Sequence, residues 1–226
     1  MELLEKQKMP LWDYVILTAS NESQAQSYRM QIQYRLDHGM LPKSIHYAVL
    51  PDPDGKRVGS GGATLNVLRY IHQDAGSFDD KRILVIHSGG DSKRVPQYSA
   101  CGKLFSPVPR LLPNGRRSTL FDEFMISMCG VAARIRAGML VCSGDVLLLF
   151  NPLQIDFYGS GAAALSIKEP AEIGKNHGVY RVDEQGNVGG FLHKKTVDQL
   201  HELQAADENG NVDIDTGAVI MDTDLL

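Results

Sequence analysis

The sequence of 226 residues predicts an α/β protein with a mainly parallel sheet and helices on both faces. Two observations support this prediction. Short apolar runs, several of them rich in β-branched residues, alternate along the chain with segments that have apolar residues at helical spacing. Hydrophobic residues make up 43% of the chain, which permits a sizeable core and argues against disorder. We therefore expect a Rossmann-like order of elements.

The apolar runs predict the strands. The run Ile83–Ile86 has the β-branched composition of a buried strand that enters a tight loop. Two later runs flank the turn-forming residues Asp183–Asn187 and predict a hairpin. The expected strands are 13–19, 45–50, 83–86, 139–142, 162–167, 178–182, 188–192 and a last strand within 212–221.

Helices are predicted between the strands. Asn21 or Ser23 can cap the first one through a side-chain oxygen, and that helix runs to about Leu36. The second, residues 63–71, follows a glycine loop at 59–62.

The second helix has Leu65, Leu68 and Ile71 on one face. Further helices are expected within 118–135, capped by the serine or threonine at its start, and at 196–206. Between strand 83–86 and the third helix, residues 107–117 are interpreted as an irregular basic stretch.

Composition narrows the class of protein. A net charge of −4 and a pI near 6.0 argue against a nucleic-acid-binding surface. Cys101, Cys129 and Cys142 have no metal-ligand spacing and suit a reducing compartment. No apolar span is long enough for a membrane helix, so we expect a cytoplasmic protein without nucleic-acid or membrane partners. The sequence stops soon after the last predicted strand, which suggests one domain, 1–226, truncated at its C-terminus.

The stretch 86–109 predicts a binding site for a polyphosphate. Glycines after the strand let a ligand approach backbone N–H groups, and the cations that follow can neutralise phosphate oxygens. A Gly-Gly turn alone is more often a plain turn, but two glycines with three cations favour a site. The residues concerned are Gly89, Gly90, Asp91, Ser92, Lys93, Arg94 and Lys103.

Two common phosphate motifs do not fit the glycine loops. Neither loop ends in the Lys-Ser or Lys-Thr of a Walker motif. Gly59–Thr64 has threonine where the dinucleotide fingerprint has its third glycine. Ordinary kinases and dehydrogenases are therefore disfavoured.

A candidate metal ligand follows the strand 139–142. Asp145 comes directly after Gly144 at the predicted carboxyl end of that strand. A carboxylate there can hold Mg²⁺, which commonly shares its coordination shell with substrate phosphates. The alternative is an aspartate that caps the next turn.

Long strings give the chain its resemblance to a known family. They are DYVILTASNESQAQ, DPDGKRVGSGGATLN, HSGGDSKRVP followed by GKLF, SGDVLLLF, NHGV, LHKKTVDQL and DTGAV. Over most of its length the chain resembles the fucose-1-phosphate guanylyltransferase family, including the N-terminal part of bifunctional L-fucokinase/GDP-L-fucose pyrophosphorylases. More distantly, GGDSKRVP…GK is similar to the sugar nucleotidyltransferase signature G-x-G-x-R-x-x-P…P-K, with Gly102 in place of the proline.

The resemblance implies a GT-A-like nucleotidyltransferase domain. Such a domain would join GTP and β-L-fucose 1-phosphate to give GDP-L-fucose and pyrophosphate, with Mg²⁺ held by Asp145. Longer family members carry a fused kinase domain. The alternatives are a related enzyme that uses another sugar or base, and a non-catalytic module that binds nucleotide sugars.

The resemblance also implies roles for individual residues. Lys93, Arg94 and Lys103 would be catalytic. The nucleotide would contact Gly59, Gly61 and Gly62 together with Gly89, Gly90, Asp91 and Ser92. The sugar phosphate would contact Asn176, His177, Gly178, Lys194, Lys195 and Asp215. His177 could equally be an ordinary loop histidine, one of the two lysines could be solvated, and the role of Asp215 stays open.

Overall fold

The computed structural model describes residues 11–87, 98, 102–154, 157 and 161–226. These residues divide into two compact units. The first unit extends to Ala163 and includes Val219–Leu226, and the second unit is Ala164–Ala218.

The first unit contains a parallel sheet with the strand order β2-β1-β3-β6. This arrangement agrees with the parallel sheet that the sequence predicts. Its elements are β1 Tyr14–Ala19, α1 Glu22–Asp37, β2 His46–Pro51, α2 Gly59–Ala75, β3 Arg82–His87, β4 Pro107–Leu111, β5 Arg117–Thr119, α3 Leu120–Ala132 and β6 Gly138–Ser143.

Both faces of this sheet are buried. On one face α2 packs against β1, β3 and β6 in an apolar cluster. Side chains that alternate with these along the strands point to the opposite face. Among them Val15, Leu17 and Leu84 are fully buried, and α1 contacts β1 and β2. The predicted packing of helices and sheet is therefore present in this unit.

The caps of α1 and α3 confirm the sequence analysis. Asn21 accepts a hydrogen bond from the backbone N–H of Gln24, which satisfies one of the free amides of the first turn. Thr119 and Asp122 form a reciprocal capping box at the start of α3.

The predicted start of α2 is wrong. The glycine loop 59–62 is the first turn of the helix itself, which begins at Gly59. A Cβ on Gly62 would lie 2.6 Å from the Cβ of Val58, so glycine lets the chain enter the helix there. The buried residues of α2 are Ala63, Val67 and Ile71, which recur every four positions along one side of the helix. Leu65 is 67% exposed and Leu68 is only partly buried.

The stretch 107–117 is not irregular. β4 and β5 pair as an antiparallel ribbon around a turn. Arg110 forms an ion pair of 2.6 Å with the buried Glu123, and the Arg116 guanidinium lies 4.7 Å from the centre of the Tyr34 ring. These arginines therefore attach the ribbon to neighbouring helices.

The second unit is antiparallel where its strand pairs are described. β8 and β9 form the hairpin that the sequence predicts, and β10 pairs antiparallel with β8. Its apolar cluster includes Val179, Leu200 and Val212. The elements are β7 Ala162–Pro170, α4 Ala171–Gly174, β8 Gly178–Val182, β9 Val188–His193, α5 Val197–Glu202 and β10 Asn211–Met221, with the ends of β7 and β10 in the first unit.

The expectation of a mainly parallel sheet holds for the first unit alone. Alternation of helices and strands predicts parallel pairing because each crossover needs a helix. That alternation stops in the second unit, where β8 and β9 are joined by a tight turn and therefore pair antiparallel. Among the described residues, no helix combines the length and apolar character that a bilayer crossing needs.

Candidate functional site

The site lies where the parallel strands of the first unit end. The register pairs Ala19 with Pro51, and His87 with Ser143. Because all four strands run the same way, their carboxyl ends lie at one edge of the sheet. Residues just beyond those ends therefore come together, although they are far apart in the sequence.

A short helical turn, Lys103–Phe105, positions the first cation of the site. Leu104 is 1% exposed, and the Phe105 ring packs between the rings of Tyr28 and Phe121. These buried anchors hold the turn against α1 and α3. The Lys103 side chain is left free to reach the edge of the sheet.

The aromatic anchor is supported by a buried ion pair. Arg35 of α1 forms two hydrogen bonds with the Asp122 carboxylate of α3, of 2.7 and 3.0 Å. Its guanidinium also lies within 5.5 Å of the ring centres of Phe105 and Phe121. Burial acts to raise the pKa of Asp122, but the bonds and charge of Arg35, together with hydrogen bonds from Thr119, outweigh it and lower the net pKa.

Gly102 explains why the signature proline is missing. Its φ is +66°, in a region that proline cannot reach because its ring fixes φ near about −65°. A Cβ at this position would also lie 2.1 Å from the Tyr28 hydroxyl oxygen. Glycine therefore allows the chain to pass close to α1 before Lys103.

Lys103 and Asp145 form the charged centre of the site. The Lys103 Nζ lies 3.2 Å from Oδ2 of Asp145, and the Ser143 hydroxyl donates to Oδ1 over 2.8 Å. Burial alone raises the pKa of Asp145, but the hydrogen bonds from Ser143 and Lys103 outweigh it and lower the net pKa. Asp145 is therefore ionised at neutral pH, beside a cation suited to phosphate oxygens.

Gly144 brings Asp145 to this position. Its backbone N–H donates to the His87 carbonyl over 2.8 Å, so the ends of β3 and β6 stay joined. A Cβ on Gly144 would lie 2.5 Å from that carbonyl oxygen. The close approach of the two strand ends therefore requires glycine.

A cavity of about 200 Å³ lies at the same edge of the sheet. It is bounded by the ends of β1, β2 and β3 and by the first turn of α2. Burial raises the pKa of Asp52 in its wall, although the N–H of Val58 and the charge of Arg57 oppose this. The lining residues are Thr18, Ala19, Ser20, Asp52, Arg57, Gly59, Ser60, Ala63 and His87.

A larger cavity, of about 840 Å³, lies elsewhere. It runs along β2, which is the last strand on its side of the described sheet, and it includes Arg29, Lys43 and Tyr70. Its walls are formed by side chains along one strand and two helices, and not by the carboxyl ends of several strands. Size alone therefore does not make it the better site for a phosphate-bearing ligand.

His87 is a functional candidate that the sequence analysis did not single out. Its Nδ1 lies 3.1 Å from the Thr18 hydroxyl and its Nε2 lies 3.0 Å from the Thr64 hydroxyl. Burial lowers its pKa, so the imidazole is neutral at pH 7. The available signal was a polar side chain at the end of an otherwise apolar strand, two positions before the glycine pair.

Several predicted site residues lie outside the described residues. They are Gly89, Gly90, Asp91, Ser92, Lys93 and Arg94. Of the predicted nucleotide-binding glycines in α2, Gly59 lines the cavity, whereas Gly61 and Gly62 are not among its lining residues.

The predicted sugar-phosphate residues all belong to the second unit. The backbone N–H of Lys194 donates to the His177 carbonyl over 3.0 Å, which brings the ends of two segments together. The side chains of Asn176, His177 and Lys194 are exposed, and Lys195 is half-buried.

Asp215 and Gly178 have clear structural partners in that unit. Asp215 accepts hydrogen bonds of 2.8 Å from the Tyr180 hydroxyl and from the backbone N–H of Gly217. Burial and the bond to Asp215 raise the pKa of Tyr180, so it stays protonated and keeps donating. Gly178 lies against the Phe191 ring, where a Cβ would be 2.4 Å away.

Asp145 offers one carboxylate as a protein ligand for Mg²⁺. No cluster of three or more His, Cys, Asp or Glu side chains within the described ranges could hold a metal ion. Mg²⁺ is commonly bound through one or two carboxylates together with substrate phosphates and water. A single ionised carboxylate next to a lysine therefore fits a metal that arrives with a phosphate ligand.

The fold is that of an α/β protein whose charged pair and cavity lie beyond the carboxyl ends of a parallel sheet, the place where proteins of this class bind their ligands. The family model described as "Fucose pyrophosphorylase domain" matches residues 75–226 of the chain. The chain belongs to this family.

Curated relatives agree with this assignment. The chain is 31% identical to the bifunctional fucokinase/GDP-fucose pyrophosphorylase of Arabidopsis thaliana over 94% of its own length and 23% of the relative's. It is 32% identical to the fucose-1-phosphate guanylyltransferase of Mus musculus, over 86% of the chain and 35% of the relative. The Homo sapiens protein of that name is 30% identical, with coverage of 88% and 35%. The chain thus spans about a quarter to a third of the length of these relatives.

Proposed function

We propose that this chain provides the nucleotidyltransferase domain of a fucose-1-phosphate guanylyltransferase, with a GT-A-like fold. It would transfer GMP from GTP to β-L-fucose 1-phosphate and release pyrophosphate. The observation that carries this proposal is the Lys103–Asp145 pair, which lies together with the 200 Å³ cavity at one edge of a parallel sheet. Membership of the fucose pyrophosphorylase family supports the choice of reaction.

The chemistry needs few side chains. A phosphate oxygen of the sugar phosphate attacks the α-phosphorus of GTP, the bond to the bridging oxygen breaks, and pyrophosphate leaves with the electron pair. The attacking oxygen is already ionised near neutral pH, so no general base is required. The residues of the site then act by positioning and by neutralising charge.

Lys103 is the described cation for this task. Its ammonium group is held near the strand ends by buried anchors, and the hydrogens that are not directed at Asp145 can donate to phosphate oxygens. Arg94 and Lys93 remain predictions as further cations on the departing pyrophosphate, and Gly89–Ser92 as backbone donors to the nucleotide.

Asp145 would hold Mg²⁺ together with phosphate oxygens of the nucleotide. When bound there, Mg²⁺ would polarise those oxygens and offset their negative charge. The Ser143 hydroxyl fixes the orientation of the carboxylate, and Lys103 on its other oxygen stays within reach of the same phosphates.

The 200 Å³ cavity would receive the nucleoside part of GTP. It offers hydrogen-bonding groups of both kinds, with hydroxyls on Ser20 and Ser60, a carboxylate on Asp52 and a cation on Arg57. Gly59 at the start of α2 allows close contact with the helix backbone. Gly61 and Gly62 stay predictions as nucleotide contacts.

The second unit would bind the sugar phosphate through its predicted residues. Lys194 and Lys195 supply cations, and Asn176, His177, Gly178 and Asp215 supply polar or close backbone contacts. The cytoplasmic location and a single domain over 1–226 also remain predictions. A fused kinase belongs to the A. thaliana relative by its name.

Pyrophosphate release tests this function. The 226-residue chain, GTP and Mg²⁺ should release pyrophosphate only when fucose 1-phosphate is added. Asp145→Asn should reduce the rate by about 10³-fold, on the scale of lost phosphate-site charge. The matched variant Asp183→Asn changes an exposed turn carboxylate in the second unit and should retain the wild-type rate.

Other outcomes would point to the alternatives. Release with a different sugar phosphate or a different nucleotide would indicate a related transferase. Tight binding of GDP-fucose by calorimetry without any turnover would indicate a non-catalytic binding module.

A further inference from the structure

One side chain at the strand ends joins three elements and has no role in the proposed chemistry. His87 ends β3, and its two ring nitrogens contact Thr18 of β1 and Thr64 of α2. Its backbone carbonyl also accepts the hydrogen bond from Gly144, beside Asp145. His87 therefore touches both the cavity and the loop that carries the charged centre.

The partners of the Thr64 hydroxyl determine which group is the donor in each of its hydrogen bonds. The Thr64 hydroxyl donates to the Ser60 carbonyl over 3.0 Å, and a hydroxyl has only one hydrogen to donate. Its oxygen must therefore accept from His87, which places the imidazole hydrogen on Nε2. Nδ1 is then an acceptor, and the Thr18 hydroxyl donates to it.

The result is a one-way chain from Thr18 through His87 and Thr64 to the Ser60 carbonyl. Thr18 is 5% exposed on β1, so one end of the chain is fixed in the sheet. The other end is in the first turn of α2, where Gly59 and Ser60 line the cavity.

The first turn of α2 has few local restraints besides the hydrogen bond from the Val58 N–H to the Asp52 carboxylate. The residue before it, Val58, provides no side-chain cap. Glycines at 59, 61 and 62 also leave the backbone with more freedom than other residues would. The chain of hydrogen bonds through His87 therefore supplies a restraint that the local sequence does not.

We propose that His87 is a positioning residue for the nucleotide: its ring, with a hydrogen on Nε2, holds the first turn of α2 against β1 and β3 and so shapes the cavity wall. The proposal rests on the proposed function, because it assigns the cavity to the nucleoside part of GTP. It predicts that His87 controls the binding of GTP and leaves the binding of the sugar phosphate unchanged.

Two variants of His87 separate this role from simple packing. His87→Leu keeps the volume but removes both hydrogen bonds. His87→Gln can still donate an amide hydrogen toward Thr64. We expect His87→Leu to raise KM for GTP by about tenfold, which corresponds to about 1.4 kcal/mol and to one or two hydrogen bonds. KM for fucose 1-phosphate should change by less than about twofold, and His87→Gln should recover most of the loss.

Equal KM values for GTP in His87→Leu and wild-type chain would overturn the proposal. So would equal rises of KM for both substrates, or a His87→Gln variant no better than His87→Leu. Each of these results would assign His87 to packing alone.

The tautomer is tested without any turnover. Nitrogen-15 NMR of the wild-type chain should place the His87 hydrogen on Nε2, and Thr64→Val should perturb that nitrogen more than Nδ1. A hydrogen on Nδ1 would refute the chain of hydrogen bonds. Failure of the proposed function would be separate, since it would appear as wild-type chain that shows the Nε2 tautomer but releases no pyrophosphate.

Discussion

Substituting Gly144 by alanine tests whether the close approach of two strand ends builds the charged centre. The new Cβ would lie 2.5 Å from the His87 carbonyl oxygen and 3.2 Å from Cγ2 of Ile86. The first of these contacts is with backbone, which cannot rotate away. The strand ends must therefore separate, and Asp145 follows directly in the chain.

The size of the effect follows from these distances. To reach 3.4 Å, the shortest ordinary contact, the carbonyl of His87 and the new Cβ must move apart by about 0.9 Å. The hydrogen bond from the Gly144 N–H to that carbonyl, now 2.8 Å, would be stretched or lost. Overpacking costs about 1–3 kcal/mol and the hydrogen bond about 0.5–1.5 kcal/mol, so we expect a loss of about 2–4 kcal/mol in the free energy of unfolding.

Turnover should fall further than stability alone explains. A displacement of about 1 Å at a catalytic group can cost about 10²-fold in rate. We therefore expect Gly144→Ala to lower kcat by about that factor while the chain remains folded at 25 °C.

Urea denaturation and pyrophosphate release measure the two effects. Gly190→Ala is the matched control, because its Cβ would find its nearest neighbour at 3.8 Å, an ordinary contact. The control should change the free energy of unfolding by less than about 0.5 kcal/mol. If Gly144→Ala has the same urea midpoint as Gly190→Ala and retains the wild-type kcat, the close approach of the two strand ends does not require glycine.

Two further variants and one change of pH test the contacts that hold the site residues in place. Gly102→Ala should lower the urea midpoint and kcat together, because its φ of +66° is strained for alanine and its Cβ would lie 2.1 Å from the Tyr28 hydroxyl. Asp122→Asn should lower the free energy of unfolding by about 3 kcal/mol, since it leaves the Arg35 charge buried without its carboxylate. The free energy of unfolding should also fall between pH 7.5 and pH 5.5. Burial lowers the pKa of His87 in the folded chain, so the unfolded chain binds a proton first as the pH falls through about 6.5.

Each of these has a clear contradicting result. Wild-type kcat in Gly102→Ala would mean that Lys103 does not depend on the turn before it. A loss below about 1 kcal/mol in Asp122→Asn would mean that the ion pair is weakly coupled to the fold. If His87→Gln shows the same fall with pH as the wild-type chain, the pH dependence belongs to other groups.

Local sequence patterns predicted the helices and strands well where a few neighbouring residues specify the structure. The β-branched run 83–86 and the turn residues Asp183–Asn187 each specify their structure over a few positions, and both predictions are confirmed. Leu65, Leu68 and Ile71 were predicted to share one face of α2, but only Ile71 is buried and Leu68 partly buried in the apolar cluster, whereas Leu65 is 67% exposed. Which face meets the sheet depends on packing, which the local pattern only suggests.

The candidate site was partly accessible from the sequence. Asp145 follows an apolar strand, and Lys103 follows a glycine-rich loop, so both could be proposed from local signals. The link between them spans 42 positions, and the contact between His87 and Thr18 spans 69. Such pairs depend on strand order and register, which is why the hydrogen-bond partners of His87 could be found only in the folded chain.

Gly102 shows how a departure from a motif can be read physically. From the sequence it is a missing proline. In the structure its left-handed φ and the nearby Tyr28 hydroxyl leave no room for proline, while the buried anchor Phe105 fixes the turn by other means. The position of Lys103 is thus maintained through different contacts.

The fate of the phosphorus atoms of GTP tests the central claim most directly. The chain is incubated with fucose 1-phosphate, Mg²⁺ and GTP labelled separately at the α- or the γ-phosphorus. We predict that the α label appears in GDP-fucose and the γ label in pyrophosphate, in equal amounts. A γ label transferred to the sugar, or both labels retained in unreacted GTP that is bound by the folded chain, would contradict nucleotidyl transfer.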